Sequence, residues 1–197
     1  MMNAEKAILT RRSTREFKDL PLTREALERI VEAGRHAPSG GNSQCTHFFV
    51  ISDQKLLKEL AVKVQDAFAQ MELKEGMYKS LASSIRQSKT GKYVFHYSPA
   101  ALIVTASKKD YGNNIADCAC ALENMMILVN EMDLGSCWIN QLRWLNEDEG
   151  LLTLFRSYGL AEDERIYGAL AVGIPDTEDS LPARTPLART GNPVEWI

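Results

Sequence analysis

The residues best suited to chemistry lie together near the start of the chain, in the run Arg11, Arg12, Ser13, Thr14 and Arg15. Three guanidinium groups and two hydroxyl groups in five residues could bind a small anion that has several oxygens. A planar guanidinium contacts phosphate oxygens two at a time, and hydroxyl groups add donors. The whole chain has a formal net charge of -3, so this cluster stands apart from its surroundings. On residue types alone, an anion site and a solvated charged turn remain equally good interpretations.

A second polar stretch, residues 37–44, has the sequence APSGGNSQ. Two adjacent glycines allow a backbone to approach a ligand closely, and the amide and hydroxyl groups around them exceed what a simple turn requires. A plain connection between a helix and a strand is the alternative interpretation.

Periodicity places both polar stretches between regular elements. Apolar residues at helical spacing predict helices over residues 3–10, 24–35, 56–71, 115–132 and 147–158. Short continuous apolar runs predict buried strands over residues 48–51, 100–106, 136–140 and 166–172. The arginine cluster follows the first helix, and the glycine loop joins the second helix to the first strand. Asn140 and Gln141 form a third polar group, at the end of the third strand.

Length and composition favour one globular domain. The chain has 197 residues, of which 45% are hydrophobic and 25% are charged, which suits a single sizeable core. The mildly acidic balance argues against a nucleic-acid-binding protein, which would present a basic face. We find no apolar run of membrane-spanning length and no secretory signal, so a cytoplasmic protein without a membrane anchor is expected. The four cysteines lack the spacing of a zinc site, and no metal site is predicted.

The predicted helix over residues 115–132 is apolar on nearly every side, and such a helix is expected to be buried all round. It therefore belongs either to the centre of a large core or to a subunit interface. The tail from about residue 176 contains several prolines, with Arg184 and Arg189, and has little periodicity. We expect this tail to be extended and to lie across another surface, for which a partner subunit is one candidate.

The segment over residues 72–97 has no single clear pattern and is rich in lysine and serine. It also contains aromatic residues, among them Tyr78, Tyr93 and Tyr97. Two interpretations stay open for this segment. It is either a mobile cover whose aromatic residues contact a flat substrate, or a pair of amphipathic helices without a special role.

The order of these features resembles the FMN-dependent nitroreductase family. Five motifs match in the family's order: RRSTREF over residues 11–17, APSGGNSQ over 37–44, Asp117, LGSCWI over 134–139 and LAVGIP over 170–175. The resemblance covers the chain except about residues 68–97, a variable helical cover segment. It implies an α+β fold, a nitroreductase-like sandwich with a central, mainly antiparallel sheet flanked by helices, formed as one domain over residues 1–197. It also implies an intertwined homodimer with two FMN sites at the interface.

The resemblance further implies which residues bind FMN. The phosphate, the ribityl chain and one edge of the flavin would be bound by Arg11, Arg12, Ser13 and Arg15. The other subunit would complete the same site with Pro38, Ser39, Gly40, Asn42 and Gln44. Asn140 and Gln141 would lie near the flavin ring, with Gly173 close by. Arg184 matches a C-terminal basic position that reaches the phosphate, and Arg189 matches that position less well.

A protein of this kind is expected to be an NAD(P)H oxidoreductase. NADH or NADPH would pass a hydride to flavin N5 and leave, and a flat acceptor such as a nitroaromatic or a quinone would then be reduced, in a ping-pong reaction. Because the chemistry belongs to the cofactor, no catalytic side chain is predicted. His36, His47 and His96 are expected to be surface or packing residues.

Other functions remain open. The same scaffold could perform dehalogenation, enone reduction or flavin fragmentation, or it could bind and store FMN with little turnover. A helical interaction protein without flavin, which docks through its basic stretch, is a third class.

Overall fold

The computed structural model describes residues 3–197, which form seven α-helices and four β-strands. The helices are α1 (Ala4–Thr10), α2 (Arg24–Arg35), α3 (Gln54–Ala69), α4 (Lys79–Ser88), α5 (Asn114–Glu131), α6 (Gln141–Trp144) and α7 (Glu149–Ser157). The strands are β1 (His47–Ile51), β2 (Ala101–Lys108), β3 (Gly135–Ile139) and β4 (Glu164–Gly173). Every helix and strand predicted from periodicity is present, and α4 and α6 are additional.

The four strands form one sheet in the order β1-β2-β4-β3, and every pair of neighbours is antiparallel. The predicted antiparallel sheet flanked by helices is therefore confirmed. β2 and β4 lie at the centre, which explains their continuous apolar sequences, because both faces of a central strand are buried between helices. A bulge between Thr105 and Ala106 shifts the register of this central pair.

Two hydrophobic layers sandwich the sheet. Leu102 and Val104 of β2 pack on one face with side chains of α3 and α7. Ile103, between them in sequence, packs on the opposite face with α2 and α5. This alternation follows from the two-residue period of a strand. The site residues are therefore attached to a core that is closed on both sides.

Local sequence signals decide where several helices begin. The Thr23 side chain accepts a hydrogen bond from the backbone N–H of Ala26 at 3.2 Å, as expected for the N-cap of α2. Asp53 caps α3 and Asp148 caps α7 in the same way. These caps set the ends of the loops that come before the helices, including the loop that leads into α2 from the arginine cluster.

The prediction that α5 is buried on every side is wrong for the single chain. Ile115 is 45% exposed, and Ala116 and Cys120 are also exposed. The opposite side of α5, which includes Leu122 and Met125, is fully buried against the sheet. The apolar sequence on the outer side thus has no covering within this chain, which favours the alternative of a subunit interface.

The segment over residues 72–97 contains the single helix α4 rather than two helices. Ile85 of α4 and Phe95 after it are almost completely buried, so part of this segment belongs to the core. The tail beyond residue 175 forms neither helix nor strand. Near its end the tail leaves large apolar side chains in solvent, including Trp196, which is 94% exposed.

Candidate functional site

The arginine segment, residues 11–17, lies along the free edge of β3. The backbone N–H of Thr14 donates to the carbonyl of Ser136 at 2.8 Å, and Ser13 forms a parallel bridge with the same residue. Further on, Phe17 forms an antiparallel bridge with Pro175, just after β4. The segment is therefore held by backbone hydrogen bonds against the two strands at this edge of the sheet.

Two glycines make this close approach possible. A Cβ atom on Gly135 would lie 2.7 Å from the Thr14 side chain, and one on Gly173 would lie 2.8 Å from the Phe17 ring. Real Cβ contacts are not this short, so the arginine segment lies where only glycine leaves room for it. Gly173, predicted to lie close to the flavin, is thus brought next to the arginine segment.

The three guanidinium groups of this segment are only loosely engaged. Arg11 Nε lies 3.8 Å from Glu123 Oε1, too far for a hydrogen bond. Arg12 Nη1 donates to the Thr185 carbonyl at 2.8 Å, and the Arg15 guanidinium lies 5.9 Å from the centre of the Tyr97 ring. Among residues 3–197, neither Arg12 nor Arg15 forms an ion pair. Most of their donors remain available for an anion.

Cys137 on β3 lies beside these groups. Burial raises the pKa of its thiol, against the opposing effects of Arg15, a hydrogen bond with Ser13, and Arg11. The thiol therefore stays neutral at physiological pH and packs in the wall beneath the arginine segment, where it does not act as a nucleophile.

Arg184 lies at the C-terminal end of α5. Its Nη2 donates to the carbonyl of Asn130 and to Asp133 Oδ1, the latter at 2.6 Å. A cation is favoured at this end of a helix, where backbone carbonyls are unpaired. Its neighbour Thr185 accepts from Arg12, so the tail runs past the arginine segment. Arg189 is exposed.

The glycine loop lies at the other end of α5 and is anchored by Asp117. The Gly40 N–H donates to both carboxylate oxygens of Asp117, at 3.1 and 3.2 Å. The Tyr111 hydroxyl contacts Asp117 Oδ2 at 2.9 Å and the Gly40 carbonyl at 3.1 Å. The Asp117 side chain is nearly fully buried. The buried carboxylate of Asp117 is thus satisfied by donors from the glycine loop and from Tyr111.

Three residues of the loop have left-handed backbone conformations. Gly41, Asn42 and Gln44 have φ values of 58°, 55° and 48°. The Ser39 hydroxyl accepts from the Gln44 N–H at 3.0 Å, and Gln44 Nε2 donates to Asn42 Oδ1 at 3.1 Å. A cleft of about 430 Å³, which we call the loop cleft, adjoins Pro38, Ser39, Asn42, Gln44 and Phe48. The loop is thus preformed.

The third polar group lies where β3 leads into α6. The Trp138 ring N–H donates to Asn140 Oδ1 at 3.0 Å, and Gln141 Nε2 donates to the Tyr93 hydroxyl at 2.7 Å. Gln141 and Tyr97 both line a cleft of about 620 Å³, which we call the tyrosine cleft. Because Arg15 contacts Tyr97, this cleft opens beside the arginine segment.

Sequence reasoning missed Tyr93 and Tyr97 as individual site residues and named them only as part of an ambiguous segment. The sequence feature that could have identified them is a pair of hydroxyl-bearing aromatic side chains just before a buried strand. That pattern does not show that the chain folds back to reach β3. Burial raises the pKa of the Tyr93 phenol, so it stays protonated and can donate a hydrogen bond.

Within one chain, the predicted site residues fall into two separate groups. The arginine segment, Gly173 and Gln141 lie together, beside Tyr97, whereas the glycine loop lies at Asp117. Asp117 and Asn130, near Arg184, are thirteen residues apart on α5. At 1.5 Å per residue, they are separated by roughly 20 Å along the axis. The arginine segment reaches α5 between these two residues, since Arg11 lies 3.8 Å from Glu123. Within residues 3–197, no hydrogen bond or ion pair joins the glycine loop to the arginine segment, and that segment does not line the loop cleft.

Comparison with known proteins identifies the scaffold. The family model described as the nitroreductase family matches residues 8–174. The chain belongs to the nitroreductase family. The resemblance inferred from five ordered motifs is thus confirmed.

Relatives of this nitroreductase-family protein agree with that result. An Archaeoglobus fulgidus protein named as an NADH dehydrogenase/NAD(P)H nitroreductase is 28% identical over 177 residues, which cover 88% of this chain and 86% of the relative. The Escherichia coli K12 protein named as the NAD(P)H nitroreductase YdjA is 25% identical over 196 residues, 94% of this chain and 95% of the relative.

Solved structures match over the whole chain. A nitroreductase with bound FMN from Bacteroides fragilis superimposes with a TM-score of 0.87 and 25% identity, and the match covers 100% of both chains. A nitroreductase from Desulfitobacterium hafniense gives a TM-score of 0.81 at 20% identity, again over both complete chains, which supports the fold. In residues 3–197, no helix has the length and apolar character needed to cross a membrane.

Proposed function

We propose that this nitroreductase-family protein is an FMN-dependent oxidoreductase that uses NADH or NADPH to reduce a small-molecule acceptor. Family membership supports the proposal, as do the names of its relatives and the FMN in the Bacteroides fragilis structure. The structural observation that carries it is the arginine segment. Three guanidinium groups lie at the β3 edge, and their one ion pair within residues 3–197 is the 3.8 Å contact of Arg11 with Glu123.

The donors of this segment fit a phosphate ester. A phosphate monoester has about two negative charges and several acceptor oxygens. Arg11, Arg12 and Ser13 provide charged forks and a hydroxyl group close together on the rigid edge of a sheet. Arg12 is already oriented by its hydrogen bond to the Thr185 carbonyl. We assign the FMN phosphate and ribityl chain to these residues.

The flavin ring would lie between Arg15 and Gln141, at the opening of the tyrosine cleft. A positive charge at one edge of the ring favours electron density there, and Arg15 is the residue placed to supply it. The amide of Gln141 is held in one orientation by Tyr93. FMN held by these residues would supply the hydride and electron transfer between NAD(P)H and the acceptor. The side chains of this chain bind and orient, and none is needed as a base.

The glycine loop would complete the site from a partner subunit. If two copies of α5 pack antiparallel about a two-fold axis near their midpoints, the Asp117 end of one helix lies level with the Asn130 end of the other. Pro38, Ser39, Gly40, Asn42 and Gln44 of one subunit then meet the arginine segment of its twin. The uncovered side of α5 and the exposed apolar residues of the tail support a homodimer of this kind.

We further propose that the acceptor is a flat compound such as a nitroaromatic or a quinone, reduced by ping-pong kinetics at the cleft that NAD(P)H also uses. The support is that one cleft, lined by Tyr97 and Gln141, adjoins the proposed ring position. Other flavin chemistry on the same scaffold, and FMN storage, are the competing functions.

Two measurements test this function. The purified protein should be yellow, or become yellow with one FMN per chain, and anaerobic NADH or NADPH should bleach the flavin absorbance rapidly. Steady-state rates at several acceptor concentrations should give parallel double-reciprocal lines. Slow bleaching would favour storage, and intersecting lines would exclude the ping-pong sequence. A protein that stays colourless with excess FMN would refute the proposal as a whole.

A further inference from the structure

The lining of the tyrosine cleft is strongly polar. It contains four serines, two glutamines and two tyrosines, together with one lysine, Lys92, and one aliphatic residue, Val94. Within residues 3–197, no aspartate or glutamate lines this cleft. A cleft for flat apolar acceptors would offer mainly aromatic and aliphatic walls. This one offers donors and a positive charge.

The inner wall of the cleft is fixed by a chain of hydrogen bonds. Gln141 Nε2 donates to the Tyr93 hydroxyl at 2.7 Å, the Tyr93 and Ser84 hydroxyls are 2.9 Å apart, and the Ser84 hydroxyl donates to the Ser80 carbonyl at 3.1 Å. A carbonyl can only accept, so the Ser84 hydroxyl donates its proton to the Ser80 carbonyl. The Ser84 oxygen is then the acceptor for Tyr93, and the Tyr93 hydroxyl must be the donor. Ser84 is 3% exposed. The wall is therefore preformed, and its donors are used internally.

Other donors of the cleft have no protein partner. Within residues 3–197, the Lys92 ammonium group and the side-chain hydroxyls of Ser80 and Ser98 form no hydrogen bond or ion pair. Arg15 adds a second positive charge beside the cleft, through its contact with Tyr97 at 5.9 Å. A neutral apolar acceptor would accept no hydrogen bond or charge from these donors. An acceptor with an anionic group would pair with them.

We propose that the tyrosine cleft selects acceptors that have an anionic group, such as a carboxylate, and that Lys92 is the main residue that recognises this charge. The proposal rests on the proposed function and specifies its substrate class. For a nitro acceptor the reaction balances as one nitro group, one NAD(P)H and one proton giving one nitroso group, one NAD(P)⁺ and one water. The anionic group takes no part in the electron transfer and affects only the binding of the acceptor.

The test compares three acceptors of nearly equal size: 4-nitrobenzoate, 4-nitrobenzamide and 4-nitrobenzamidine, which have charges of about -1, 0 and +1. The FMN-loaded wild type should prefer 4-nitrobenzoate in kcat/KM over both others. In Lys92→Gln, the ratio of kcat/KM for the benzoate to that for the benzamide should fall about three- to fivefold, since the lysine is exposed. In Lys92→Glu, kcat/KM should be higher for 4-nitrobenzamidine than for 4-nitrobenzoate.

Lys89→Gln is the matched control, because Lys89 is an exposed lysine next to α4 that does not line the cleft. It should leave the benzoate preference unchanged. Binding is measured separately by titrating oxidised, FMN-loaded protein with benzoate and following the flavin absorbance. The benzoate Kd should rise by a similar factor in Lys92→Gln only.

Equal kcat/KM for the three acceptors, a preference for the amidine, or an anion preference that survives Lys92→Gln would overturn the inference. Each of these outcomes leaves the proposed function standing, because the protein would still oxidise NAD(P)H through FMN. Failure to bind FMN, or flavin that NAD(P)H does not reduce, would instead overturn the proposed function together with the inference.

Discussion

His96 provides a prediction that does not depend on any ligand. The ring is 2% exposed, its Nδ1 accepts from the Ser98 N–H at 3.0 Å, and its Nε2 lies 3.0 Å from the Leu57 carbonyl. An amide can only donate and a carbonyl can only accept, so the ring is neutral with its proton on Nε2. A second proton, on Nδ1, would face the Ser98 N–H.

The neutral His96 ring affects the candidate site through the backbone turn that follows it. Tyr97 and Ser98 have φ values of 61° and 51°, a left-handed conformation that is unfavourable for residues other than glycine. The hydrogen bond from Ser98 to His96 closes this turn, and the turn places the Tyr97 ring near Arg15. His96 is therefore a positioning residue for the opening of the tyrosine cleft.

The sign of the pH effect follows from the direction of the pKa shift. Burial lowers the pKa of His96, against the opposing hydrogen bond to Leu57. A lowered folded-state pKa gives stability that is fully present above the unfolded-state value of about 6.5 and is lost as the pH falls through the folded-state pKa. If the folded ring stayed neutral down to pH 5, the unfolding free energy would fall by at most about 1.9 kcal/mol between pH 7 and pH 5.

The assay is urea unfolding at half-unit steps from pH 7.5 to pH 5, for the wild type and His96→Gln. The variant should be less stable at pH 7 by about 1–3 kcal/mol, because buried partners lose their hydrogen bonds. The difference between the two proteins should shrink toward pH 5. His36→Gln, at the exposed histidine after α2, shows the effect of removing a surface histidine. A difference between wild type and His96→Gln that stays constant with pH would refute the reasoning.

Three further predictions concern the two halves of the site. Arg12→Ala should raise the Kd for FMN about 10- to 100-fold, through the loss of a charge-assisted hydrogen bond, as measured by fluorescence titration; Arg24→Ala, on α2, is the control. Gly40→Ala should lower the unfolding free energy by about 1–3 kcal/mol, because its Cβ atom would lie 2.5 Å from the Tyr111 hydroxyl, which is held by Asp117, whereas Gly112→Ala, in open space, should not. Cys120→Arg should place a charge on the uncovered side of α5 and convert the proposed dimer to a monomer with weak FMN binding, as seen by sedimentation velocity.

Each of these predictions has a result that contradicts it. FMN binding that is unchanged in Arg12→Ala would remove the phosphate assignment. Equal stability of Gly40→Ala and Gly112→Ala would show that the glycine loop relaxes without cost. A Cys120→Arg protein that remains dimeric would place the subunit interface away from α5.

Much of the fold could be predicted from the sequence, because its signals are local. Thr23 is followed by apolar residues at helical spacing, and it caps α2 as expected. β2 and β4 are continuous apolar runs, and they form the centre of the sheet. The arginine segment and the glycine loop were recognised by residue type and order, and the family match confirmed the resemblance that they suggested.

What the sequence alone determined was which side chains have the chemistry of an anion site and which segments must be buried. Only the tertiary structure decided what those side chains face. It paired the arginine segment with β3, anchored the glycine loop to Asp117 on α5, and brought Tyr93 and Tyr97 to Gln141 from a segment without a clear pattern. The physical reason is that capping and periodicity depend on neighbouring residues. Cleft lining and strand-edge pairing instead depend on contacts between residues far apart in the chain, such as Tyr93 with Gln141.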